Sequence, residues 1–359
     1  MNPLFELKAL GQHVWLDMPS RVLLRDGGLQ RLVNEDGIDG VTFNPSNFQK
    51  PIAGEAFRRE DSGRLDDSTL TAEARYEALL IPDVQAACDV LLPAYVSSGG
   101  ASGYVNLAVS PLLARDQAGI QAAAFRLRRA VERDNLLIKV PATPAGVLAF
   151  EQLTATGVRV NANLIFSLAQ YEAVAQAYLR GAMHWLASGG TAGHLRSVAS
   201  LGVSRVDTLL DQRLERIGTP HSLVLRGRSG VALAKCCHGR YREILQGPAF
   251  ALLKEAGVRP QTLLWASTGN KDTAGSDVPY VESLIGPDTI AAVTGGTLAA
   301  FRDHGRAMST LESDMAGAQD HMVALAALGI DCVALGERLQ GEGVRECSTA
   351  YEAMLKLCV

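Results

Sequence analysis

Disulfide and metal-site patterns are missing from this chain. Its six cysteines (Cys88, Cys236, Cys237, Cys332, Cys347, Cys358) are scattered and form no CxxC pair. Cys236 and Cys237 are adjacent within a helical pattern, so they point in different directions and make a poor metal site; free thiols are expected. The seven histidines show no HExxH or HxH spacing, and no metal is expected. Runs of apolar residues are too short to span a membrane. The N-terminus, MNPLFELKAL, has neither the basic start nor the continuous apolar core of a secretory signal, so a cytoplasmic protein is expected. Charge of one sign is also lacking. A net charge of -4 gives no electrostatic case for nucleic acid or anionic membranes. The one basic cluster, RLRR (126–129), reads as the solvated face of a helix.

What is present is a long alternation. With 359 residues and 47% hydrophobic content the chain can bury a large core. Short apolar runs read as strands at 13–17, 40–44, 103–109, 136–140, 158–162, 197–203, 262–267 and 289–294. Amphipathic stretches at 118–133, 169–187 and 230–246 read as helices between them. This order predicts an α/β fold, a (β/α)8 TIM barrel, with an open doubly wound sheet as the alternative. Against the alternative, no GxGxxG turn follows the first strand. Glycine-rich stretches at 97–103, 187–193 and 267–277 are expected to be βα loops, and none is biased enough to be a linker. Two helical patterns, around 297–329 and 333–356, are expected to close and cover the barrel, giving a single domain over 1–359.

Lys139 lies inside the run LLIKVPATPAG (136–146). Burying an amine disfavours its ammonium form, lowers its pKa and frees a nucleophile for a carbonyl. The bland alternative is a lysine that snorkels from a strand end. Barrel enzymes place their chemistry at the C-terminal strand ends. Asp17, Asn44, Lys139, Asn161, Asn163, Ser200, Arg205, Ser267 and Lys271 all fall at or after such ends. Asp17 suits a general base, the amides suit orienting contacts, and Arg205 and Lys271 with Ser200 and Ser267 suit an anion. Each has an ordinary reading too: Asp17 and Asn44 as turn residues, Arg205 paired with Asp207 on the surface, Ser267 as loop chemistry.

The segments VWLDMPSR (14–21), GVTFNPSNF (40–48), IKVPAT (138–143), NANLIFSLAQY (161–171), SVASLGVSRVDT (197–208), LLWASTGNKD (263–272), YVESLIGPDTI (280–290) and TLAAFRDHG (297–305) give the chain a resemblance to transaldolase, in its longer bacterial form, over nearly its full length. That resemblance implies a class I aldolase barrel of carbohydrate metabolism, in the pentose phosphate pathway. Such an enzyme transfers a dihydroxyacetone unit from a ketose phosphate to an aldose phosphate without a cofactor. It implies Lys139 as the Schiff-base lysine and Asp17 as the proton-transfer carboxylate. Asn44 would contact donor hydroxyls, Ser200 would match the family's serine, and Arg205 and Ser267 would hold phosphate, with Lys271 a looser candidate. Partners would be small sugar phosphates, and the assembly a monomer or homodimer.

The resemblance also exposes departures. Where the family reads like VSLEVSP, this chain reads VNLAVSP (105–111), and Ala108 replaces the glutamate that shuttles protons with a bound water. Asn163 stands where a threonine usually holds that water. Phe43, Gly202 and Ser102 also differ, and a reshaped pocket is expected. An amide does not exchange protons as a carboxylate does. Three readings stay open: a transaldolase that compensates for Ala108, a specialised Schiff-base aldolase with an altered substrate, and a non-catalytic sugar-phosphate-binding descendant.

Overall fold

All eight apolar runs are strands in the computed structural model, which describes residues 2–17, 19–44, 69–270 and 276–358. They are β1 (Gln12–Asp17), β2 (Gly40–Phe43), β3 (Tyr104–Ala108), β4 (Leu136–Pro141), β5 (Val160–Ile165), β6 (Ser197–Gly202), β7 (Thr262–Ala266) and β8 (Thr289–Val293). Neighbours pair in parallel, and β1 also pairs with β8, so the sheet closes on itself in chain order. The open doubly wound alternative is thereby excluded. Helices connect the strands, as parallel pairing requires.

Two cores result. Strand residues alternate between facing the barrel axis and facing the helices. Trp15, Tyr104, Leu137, Val198, Leu264, Ile290 and Ala292 fill the barrel interior. The opposite faces, such as Val41, Phe43, Ile138 and Val140, pack with the helices in a larger cluster. Gly40 is a register partner of Trp15, and a Cβ there would lie 2.3 Å from the indole Nε1. Only glycine lets that indole fill the barrel floor.

The helices are fixed by their caps. Ser20, Thr71, Asp116, Thr143, Ser167 and Thr294 each accept a backbone N–H in the first turn of the helix that follows. The helix Ala72–Ser97 is long and apolar enough by length and mean hydropathy (1.4) to cross a membrane. Here Leu79, Leu80, Val84, Ala87 and Leu91 are buried parts of the outer core.

Some expectations need correction. The stretches 97–103 and 187–193 precede β3 and β6, so they lie at the end of the barrel opposite the chemistry; only 267–270 follows a strand. The fifth strand runs later than expected, to Ile165, because the β5–β6 register shifts between Ala162 and Ile165 around Leu164, whose φ is 62°. The pattern at 297–329 is two helices, Gly295–His304 and Met315–Ala327. The last helix, Cys332–Leu357, does reach the barrel mouth. Gln340 pins it there, its Nε2 donating to the carbonyls of Ala142 (2.8 Å) and Leu164 (3.0 Å) beyond β4 and within β5.

Candidate active site

Lys139 does not snorkel. Its side chain is 6% exposed, and its Nζ donates to Thr42 Oγ1 (2.9 Å), the Phe43 carbonyl (3.1 Å) and Asn44 Oδ1 (2.5 Å). These acceptors belong to β2 and its end, so the lysine reaches from β4 across β3. The β3 residue in register with Lys139 is Ala108, whose methyl leaves room for that crossing. Burial lowers the Lys139 pKa from its ordinary value, and Asp17 and then Cys347 partly offset this.

Asn44 joins the amine to a carboxylate. Its Nδ2 donates to Asp17 Oδ1 at 3.0 Å while its Oδ1 accepts from Lys139. One amide is thus oriented by partners on both sides. Burial raises the Asp17 pKa, partly offset by the charge of Lys139 and the Asn44 hydrogen bond. Asp17 is not the cap of the segment that follows it. Ser20, three residues after Asp17, is the helix cap in that segment.

A cavity of about 370 Å³ opens at this end of the barrel, and Asp17, Asn44, Lys139, Asn161, Asn163, Ser200, Arg205 and Ser267 all line it. Lys271 lies outside the described residues, as do Pro45 and Ser46. Asn161 and Asn163 lie within β5, in register with Lys139 and Pro141, not at its end. Ser200 Oγ donates to Asn161 Oδ1 at 2.8 Å, which turns the Asn161 amide group toward its neighbours in a fixed sense. Ser267 holds a φ of 56°, a left-handed backbone uncommon outside glycine, as does Leu164. Both line the cavity, in keeping with the tendency of strained backbone to gather at functional sites.

Arg205 is not paired with Asp207. The Asp207 carboxylate accepts from the Gly230 backbone at 2.8 Å and serves a helix start. The Arg205 guanidinium stacks over the Phe166 ring, 5.7 Å from its centroid, and forks onto Glu346 at 2.9 and 2.8 Å. Phe166 in turn depends on Gly202, because a Cβ at 202 would come 2.4 Å from its ring.

The pocket is reshaped at fewer points than expected. Gly202 lines it. Phe43 faces the helices, since period-two alternation sends its side chain away from Thr42 and Asn44, and only its carbonyl meets Lys139. Ser102 precedes β3 at the far end, where its backbone N–H donates to Ser98 Oγ. Asn106 lies on the same face of β3 as Ala108, in register with Thr42, and is fully buried. Its amide finds no hydrogen-bond partner among the described residues, an arrangement proteins rarely keep.

Residues 14–358 match the transaldolase/fructose-6-phosphate aldolase family. The chain belongs to the transaldolase family. It is similar to a transaldolase of Thiobacillus denitrificans, 48% identical over 355 residues covering 99% of both chains. The Neisseria gonorrhoeae transaldolase is 42% identical with the same coverage. That of Mycolicibacterium smegmatis is 39% identical across 99% of this chain and 96% of its own.

Other residues of this transaldolase-family site escaped the sequence reading. Thr42 and Phe166 lie inside segments that carry the resemblance, but nothing in spacing marks them as an amine acceptor and a guanidinium platform. Glu346, Cys347 and Ala350 come from the last helix, some two hundred residues beyond Lys139 in the chain. Burial raises the Cys347 thiol pKa, which the charges of Lys139 and Arg205 partly offset. A helical pattern says which face is apolar, not which strand end that face will meet.

Proposed function

We propose that the protein is a transaldolase-type transferase acting through a Schiff base on Lys139, carrying a dihydroxyacetone unit from a ketose phosphate to an aldose phosphate. The observation that carries this reading is the buried amine held beside Asp17 through Asn44. The neutral amine adds to the donor ketone, and loss of water leaves the iminium. Asp17 accepts the proton of the neighbouring chain hydroxyl as the carbon–carbon bond breaks, and the aldose phosphate departs. The three-carbon enamine left on Lys139 then attacks the acceptor aldehyde, and water releases the product. Asn44 and Asn161, with Ser200 behind it, would orient donor hydroxyls. Arg205 and Ser267 would hold the phosphate end, with Lys271 a further candidate.

Ala108 favours a second reading, a related aldolase working on another carbonyl compound. Alanine carries no proton, and general acid–base assistance is typically worth about 10²–10⁴-fold. A purely binding descendant is disfavoured, because a buried amine is costly and serves no binder. Borohydride trapping with fructose 6-phosphate tests the first reading. A dihydroxyacetone adduct on Lys139, seen by peptide mass spectrometry, supports it. Trapping that succeeds only with other carbonyl compounds supports the second.

A further inference from the structure

We infer that Glu346 sets the specificity of the cavity's anion end by competing with ligand for Arg205. This rests in part on the proposed reading, since Arg205 is there the phosphate-end cation. The guanidinium lines the cavity with Ser267, whose hydroxyl suits an anion, and with Ser200, whose hydroxyl donates to Asn161. Its platform is rigid, for the Phe166 ring beneath it is fully packed. Yet the donors that would grip an anion already grip a carboxylate: Nη2 donates to Glu346 Oε1 at 2.9 Å and Nη1 lies 2.8 Å from Oε2. A two-pronged grip of this kind is how arginine binds carboxylate and phosphate alike. Glu346 therefore stands in the place of a ligand.

The two partners differ in how firmly they are held. Arg205 is 28% exposed at its side chain, whereas Glu346 is 65% exposed and rises from the solvent side of the last helix. Among the described residues Glu346 has no second cation partner. A carboxylate so exposed gives up its partner at small cost, so an incoming dianion can displace it. A neutral or poorly placed ligand cannot. Glu346 thus acts as a filter: it closes the cation to weak anions and leaves it open to a phosphate monoester, which brings nearly two charges and three acceptor oxygens. The handicap on phosphate is small, about fivefold at most for an exposed pair.

The test uses the full chain as wild type, Glu346→Gln, and Glu352→Gln as a control on the same helix outside the cavity. Inorganic phosphate binding is measured by calorimetry. Glu346→Gln is expected to bind phosphate more tightly than wild type, by up to about fivefold, with Glu352→Gln unchanged. Adding Arg205→Gln to Glu346→Gln is expected to abolish the gain. In turnover of fructose 6-phosphate, KM is expected to fall by a similar factor with kcat unaltered. Equal phosphate affinity in wild type and Glu346→Gln, weaker binding in the variant, or no binding in any protein each overturns the inference. Should Glu346→Gln fold poorly, Glu346→Asp, one methylene shorter, is expected to give an intermediate gain, and no gain counts against the filter. The calorimetry does not depend on Schiff-base chemistry, so absent turnover would sink the proposed reaction without touching this result.

Discussion

Ala108 and Lys139 are register partners on β3 and β4, and the lysine side chain crosses over that alanine to reach Thr42, Phe43 and Asn44 on the far side. Ala108, which carries no titratable group, lies directly beneath that path.

Ala108→Glu puts a carboxylate next to the amine. If only a proton shuttle is missing, turnover of fructose 6-phosphate should rise by about 100-fold or more, the low side of what general acid–base catalysis supplies. Steady-state kinetics reads this directly. An unchanged rate in a protein with native near-UV circular dichroism would point to a cavity suited to another donor.

Lys139→Ala should abolish every borohydride-trapped adduct with a keto sugar, since Lys139 is the one lysine among the described residues that line the cavity. Intact mass spectrometry reads the result, and an adduct surviving in the variant would remove Lys139 from the role of nucleophile.

The pH dependence of adduct formation has a definite sign. The free amine is the nucleophile, so the rate rises with pH as the ammonium loses its proton. Burial lowers the Lys139 pKa from 10.5, so the midpoint of that rise should lie below 10.5. Asn44→Ala removes the hydrogen bond that steadies the Asp17 carboxylate, so the Asp17 pKa should climb and the acid limb of turnover should move to higher pH. An acid limb that stays put would show that Asp17 does not report through Asn44.

Gln340→Leu cuts both bonds that hold the last helix to the ends of β4 and β5. Leaving buried carbonyls without partners costs about 1–3 kcal/mol, so thermal unfolding should shift down, and KM should fall as Glu346 is drawn away from Arg205. A lower unfolding temperature with KM unaltered would mean that the helix stabilises the barrel without shaping the cavity.

Gly202→Phe tests the packing around Arg205. Its Cβ would meet the Phe166 ring at 2.4 Å, so the ring must move and the guanidinium loses its platform. Overpacking of this sort typically costs about 1–3 kcal/mol. A crystal structure of the variant with Phe166 unmoved would contradict the close contact.

Much of this protein is written in local pattern. Alternation of short apolar runs with amphipathic helices defined eight strands and their parallel order, because a strand's period of two and a helix's of 3.6 are both visible in sequence. The buried amine was legible too, since a lysine flanked by Leu136, Leu137, Ile138 and Val140 has few polar places to go. Direction was legible only partly. Phe43 was expected to reshape the pocket, but one step along a strand moves a side chain to the other face. Two glycine-rich loops were assigned to the wrong end of the barrel, because composition marks a loop without saying which strand end it serves.

Tertiary structure decided the rest. Closure brought β2 beside the amine of β4 across the small Ala108, and so made Thr42 and Asn44 its partners. Docking of the last helix gave Arg205 the partner Glu346, 141 positions away, in place of the nearby Asp207. Sequence fixes which side chains carry charge and which runs are buried. Which charges meet depends on where packing sets whole elements against one another, and that is a property of the closed barrel alone.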